Sequence, residues 1–202
     1  MSIETKVRAV ELLYADLDRE ISQFRSHTKL NCVSGCGKCC TYSNVDASPL
    51  EFLPWAFHLF LIGKAEATLE ELRQRVNPIC LIYRPLSNVD AHSGSCGDYK
   101  YRGLICRLFG YGANRDKYGE LRISTCKIIK EGQAENFEKA MEALKNGLYI
   151  PVFTDYYMRL NQIDFRLGNN ILPVNKALKV AIEEVLHYYA YRPFPQGNSD
   201  SA

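Results

Sequence analysis

Eight cysteines carry the chemistry that this sequence announces: Cys32, Cys36, Cys39, Cys40, Cys80, Cys96, Cys106 and Cys126. The first four fall within nine positions, as Cys32-x3-Cys36-x2-Cys39-Cys40, interleaved with Gly35, Gly37 and Lys38. Thiolate is a soft ligand, and four thiolates in a tetrahedron select zinc or an iron–sulfur centre. Ligands two or three residues apart let one turn of chain wrap a single ion. Neighbouring side chains point in different directions, so the pair Cys39-Cys40 divides more easily between two adjacent sites than it shares one. The sequence reading therefore expects eight thiolates in two sets of four.

Charge is compatible with that reading. The formal net charge is +2. Ionising all eight thiols takes it to −6, and two divalent ions, or two four-iron cores of charge +2, return it to −2. Lys38, Arg102, Arg107 and Lys127 lie beside the cysteines and can donate hydrogen bonds to sulfur. Tyr99, Arg102 and Arg107 are the expected cofactor-binding positions outside the cysteines. The four histidines, His27, His58, His92 and His187, are scattered through the sequence; His92 is the spare histidine of the cysteine region, read first as a solvated loop residue, and His58 lies on an apolar helix.

Cys32 to Cys40 together with the second block resembles the YkgJ-type cysteine-cluster family, described as zinc- or iron-chelating domains. The second block is Cys80-Leu81-Ile82, then Gly94-Ser95-Cys96-Gly97-Asp98-Tyr99, then Arg102-Gly103-Leu104-Ile105-Cys106-Arg107-Leu108-Phe109. Leu81 replaces the family's usual proline, and Gly103 replaces the proline after arginine. The resemblance covers residues 30–127 and implies metal binding through the cysteines. It names no reaction. A related group, the flagellin lysine N-methylases, carries a similar cluster thought to hold iron–sulfur, so by analogy a protein-modifying role enters the expectation.

Composition excludes other classes. At 202 residues, with 47% hydrophobic and 24% charged residues, the chain fits one globular domain. A net charge so near zero gives no argument for nucleic acid or an anionic membrane as partner. The longest apolar stretch, Phe52 to Ile62, is broken by Pro54 and His58 and is too short to span a bilayer. The opening residues Met1 to Lys6 show no apolar export segment, which points to the cytoplasm, where cysteine patterns mean metal or catalysis rather than disulfides. The spacing Cys32-x3-Cys36-x2-Cys39 is also that of radical S-adenosylmethionine enzymes, but a long helix precedes it here and no alternating strand–helix pattern follows.

The positioning elements follow from periodicity. Ile3, Val7, Val10, Tyr14, Leu17, Ile21 and Phe24 form one apolar stripe and predict a helix over 3–26. Ser48, Pro49 and Glu51 announce another start. Further helices are expected over 65–76, 131–146, 154–167 and 175–190, and a hairpin pairing 108–111 with 121–124. Phe52, Trp55 and Phe57, and the terminal set Tyr188, Tyr189, Tyr191 and Phe194, read as packing clusters. The whole is expected to be α+β, mostly α: one domain over 1–192, with helices clasping an irregular cysteine-rich metal centre and a small β-hairpin, the C-terminal helical part over 130–190 and a flexible tail over 193–202. The functional expectation is a metal-binding protein holding iron–sulfur, 4Fe-4S first, with a redox or protein-modifying role. The alternative is a zinc-bound structural or interaction module without catalysis. In either case the metal supplies folding free energy to a region poor in regular structure.

Overall fold

A computed structural model describes residues 1–86 and 93–195. The expected stripe makes α1 (Ile3–Thr28), with every one of its seven positions buried. The Ser2 hydroxyl accepts from the Thr5 amide at its start. At its end Lys29 turns left-handed and its N–H reaches the Arg25 carbonyl at 2.9 Å. Glu4 in the first turn and Arg25 and His27 in the last complement the helix dipole.

After α1 the chain runs through the cysteine loop and a two-residue strand, β1 (Asp46–Ala47). A short 3-10 turn, Pro49–Phe52, then leads into α2 (Leu53–Leu61) and α3 (Ala65–Gln74). Next come β2 (Tyr83–Pro85), β3 (Gly94–Cys96) and α4 (Leu104–Leu108). The hairpin β4 (Ala113–Arg115) and β5 (Leu121–Ile123) follows. The remainder is α5 (Lys127–Gly132), α6 (Ala134–Lys145), α7 (Phe153–Ile163), α8 (Phe165–Gly168), β6 (Leu172–Pro173) and α9 (Val174–Tyr189). The strands pair antiparallel as β1–β6, β2–β3 and β4–β5. The fold is α+β and mostly α, as expected.

Two apolar cores form. The larger gathers α1, α2, α3, α7 and α9 around Val10, Leu17, Leu53, Leu178 and Ile182. The smaller holds Phe24 and Leu30 against Ala113, Ile123, Ile129, Leu144 and Ile150. α1 contributes to both, Ile3 to Ile21 in the first and Phe24 in the second. The terminal aromatics do pack: Tyr189 stacks on Phe60 at 4.6 Å, and its hydroxyl meets Glu4. Phe194 stacks on Phe60 at 5.1 Å while remaining more than half exposed, and Tyr191 stays exposed. The tail from 196 onward lies outside the described residues.

The hairpin differs from expectation. Its second strand is where periodicity places it, but residues 108–111 do not form the first. Leu108 closes α4, and its carbonyl accepts from the amides of Tyr111 and Gly112, so the chain is still turning there. The strand begins only at Ala113. The turn is tightened by the Asp116 carboxylate, which accepts from the amides of Tyr118 and Glu120 and from Arg122.

What starts α4 is a buried acid. Glu51 is fully inaccessible. Its carboxylate accepts from the Ser48 amide at 2.7 Å and, across 54 positions, from the Ile105 amide at 2.9 Å. Its carbonyl accepts from the Tyr14 hydroxyl on α1 at 2.8 Å. Burial raises the carboxyl above its ordinary value, and the hydrogen bonds from Ser48, Ile105 and Tyr157 pull it back. Glu51→Ala orphans buried donors on two elements and should lower unfolding free energy by about 3 kcal/mol in urea titrations. The raised folded-state value means that the fold holds this proton more tightly than the unfolded chain does. The residue's contribution is therefore full below the ordinary carboxyl range and is lost as pH rises through the raised value. The deficit of the variant should accordingly be larger at pH 5 than at pH 8; a deficit that grows with pH contradicts this account.

Candidate metal centre

Of the cysteines, Cys80 and Cys96 pack against the larger core and Cys126 against the smaller. Cys39 and Cys40 sit on a 3-10 turn, Lys38–Thr41. The loop is stitched to the β2–β3 hairpin: the Gly94 amide donates to the Gly35 carbonyl at 2.9 Å, and Cys36 bridges Gly94. Two glycines make this approach possible. Gly37 has φ +57°, and a Cβ there would stand 2.8 Å from the Gly94 backbone; a Cβ on Gly94 would stand within 2.4 Å of the Tyr83 ring.

Each remaining cysteine has its own support. Cys96 pairs with Tyr83 in the hairpin, and the Tyr83 amide donates to the Cys80 carbonyl at 3.1 Å. Cys106 lies in α4, beneath the Glu51 cap. Cys126 is the residue before α5. The start of the loop is fixed from the opposite direction. The Cys32 amide donates to the Tyr111 hydroxyl at 2.7 Å, and Asn31 exchanges two hydrogen bonds with the Gln133 side chain. Tyr111 and Gln133 were not among the expected site residues; their partners stand 79 and 102 positions away, so no local pattern marks them.

All eight thiols are free. Cys32 and Cys39 are exposed and the other six half-buried. A cysteine acting as a small hydrophobe is commonly fully buried; none here is. The thiols act on one another electrostatically across the chain. Burial raises Cys32, and the charges of Cys39, Cys36 and Cys126 raise it further. Burial likewise raises Cys106, with Cys80, Glu51, Cys96 and Cys39 adding to it. Cys80 and Cys96 are raised by burial too. The Cys39 and Cys40 sulfurs are 4.0 Å apart. Donation from the Cys40 thiol holds Cys39 down to about 6, and the same contact pushes Cys40 up.

Of the three non-cysteine positions, Arg102 lies among the thiols. Its guanidinium stacks 3.7 Å over the exposed Tyr99 ring, its positive charge favours the thiolates of Cys32, Cys39 and Cys96, and its Nε is buried without a hydrogen-bond partner. Arg107 faces α1 instead. It donates to the carbonyls of Arg102 and Lys100 and to Asp18, and lies over the Tyr14 ring at 4.4 Å. That side chain anchors the segment bearing Cys106. His92 lies outside the described residues, and His58 stacks on Tyr101 at 4.9 Å.

Among the described residues, no three His, Cys, Asp or Glu side chains are gathered into a group able to hold a metal ion as they stand. The donor chemistry fits a thiophilic metal; a finished coordination shell is not formed. No family profile, curated protein or solved structure matches the chain, so the resemblance to the YkgJ-type family rests on its motif residues alone.

In metal-free reduced protein, Cys39 should be the first cysteine alkylated. Its rate should rise at a lower pH than that of an ordinary thiol, because the thiolate is the nucleophile and the Cys40 thiol stabilises it. Peptide mapping after brief iodoacetamide pulses checks this, and equal labelling of Cys39 and Cys40 at pH 7 refutes it.

Proposed function

We propose that this chain is a cysteine-ligated metal-binding protein that holds iron–sulfur, with a redox or protein-modifying role in the cytoplasm. The observation that supports the reading is a set of eight free, incompletely buried thiols from five separate stretches of chain, whose charges act on one another between those stretches. Thiolate sulfur is the donor that iron–sulfur clusters and zinc require. A bound iron–sulfur cluster would supply one-electron chemistry. The chain's own residues do the rest. Arg102 offsets thiolate charge, with its buried Nε free to donate to sulfur. The Gly35–Gly94 stitch and the Tyr111 and Gln133 clips hold the loop against the hairpin and α5.

Iron is favoured over zinc because eight thiols exceed the four of a structural zinc knuckle. Protein purified anaerobically should be brown and carry iron and acid-labile sulfide in stoichiometric amounts. Colourless protein with zinc alone would replace this reading by a zinc module. Protein that takes up neither metal overturns metal binding altogether.

Removal of metal should act locally. The α1, α2, α3 and α9 core packs without the cysteine loop, so the far-ultraviolet helical signal should survive chelation. The melting temperature should still fall by several degrees, because the loop loses its cross-link. An unchanged melt after complete demetallation contradicts a stabilising role.

A further inference from the structure

α6 carries Phe137, Met141 and Lys145 at steps of four, so the three stand in line on one face of the helix. Phe137 and Met141 are half-buried and pack against the smaller core, whereas Lys145 is exposed. Ile123 of β5 is buried in that core, and its neighbour Arg122 is exposed. From α5, the Lys130 ammonium stands 5.5 Å from the centre of the Phe137 ring. These six side chains line a cavity of about 310 Å³. Its apolar lining is Ile123, Phe137 and Met141, and its charged lining has one sign. Arg122, Lys130 and Lys145 are all cationic, and the α6 acids Glu135, Glu138 and Glu142 are not among the lining residues.

We propose that this cavity binds a small organic anion, a compact apolar body carrying one phosphate or carboxylate. Small-molecule sites have this make-up, an apolar lining with a few charged groups that fix orientation, and the volume stands at the low end of their usual range of about 300–1,000 Å³. A ring or short chain would lie against Phe137 and Met141, whose aromatic face and thioether both favour such contact. The head group would meet the cations. Arg122 gives its Nε to Asp116 at 3.0 Å, which leaves its two terminal nitrogens for an oxyanion. Among the described residues, neither Lys130 nor Lys145 forms an ion pair. Cations gathered round one cavity without an acid between them repel, so an anion both gains their attraction and relieves that repulsion. The other cavity, about 230 Å³ and lined by residues of α2 and α3 among others, sets Lys64 and Arg84 beside Glu71 and Asp98, and its mixed signs select no ligand class. None of the six side chains is a thiol, so the anion site stands or fails apart from the metal-binding reading.

Calorimetric titration of the full-length chain with phenyl phosphate and with benzoate tests this. Phenol, which lacks the charge, and inorganic phosphate, which lacks the apolar body, are the controls. At least one of the two anions should bind with a dissociation constant of about 1 mM or tighter, and the tighter of them assigns the head group. Phenol and inorganic phosphate should each bind about tenfold more weakly or not at all. Lys130→Gln combined with Lys145→Gln should weaken the anion about tenfold, and because both side chains are exposed the thermal melt should not move. Lys64→Gln, at the other cavity, should bind as wild type does. Added salt should weaken binding to wild type more than to the double variant. No saturation by either anion up to about 10 mM overturns the site. So does equal affinity in the double variant, or a loss produced by Lys64→Gln instead. Phenol or inorganic phosphate binding as tightly as the organic anion overturns the ligand class.

Discussion

A carboxylate sealed from water organises the join between the helical body and the cysteine face. Glu51 receives the amides of Ser48 and Ile105, and its own carbonyl receives Tyr14. In one residue the entrance to α2, the start of α4 and the middle of α1 are tied together. An unpaired buried acid would be prohibitively costly, so this site tolerates few alternatives. Cys106 inherits its place from that arrangement, and Arg107 beside it adds a second tie to α1 through Asp18 and Tyr14.

The molecule separates two kinds of order. Hydrophobic burial holds the helices, and that work falls to side chains such as Val10, Leu17, Leu178 and Ile182. The cysteine loop has almost no apolar burial of its own. It is held by a few backbone contacts, above all the approach of Gly37 and Gly94, and by the side-chain clips from Tyr111 and Gln133. A segment built this way has little apolar burial to stabilise it, so any ligand held by its sulfurs would add folding free energy directly.

Most of the helical frame was legible in the sequence, because each long helix carries a 3.6-residue stripe that packing rewards. The α1 stripe and the Ser48-Pro49-Glu51 start appear in the structure where the pattern puts them. The misplaced strand at 108–111 shows the limit: Leu108 has strand-like neighbours, but the cap that makes it helical comes from Glu51, more than fifty positions earlier. The candidate site divides likewise. The cysteines announce themselves by type and spacing. Their supports do not, since Tyr111, Gln133 and Gly94 reach the loop only through the folded chain. Arg107 adjoins Cys106 in sequence, yet its guanidinium lies over the Tyr14 ring and meets Asp18 on α1.

One continuous rod underlies both halves. α1 is 26 residues long, about 39 Å at the usual rise per residue, and lies against one core for most of its length and the other at its end. The two halves therefore share one spine, and a bend in its last turns would shift the smaller core relative to the larger.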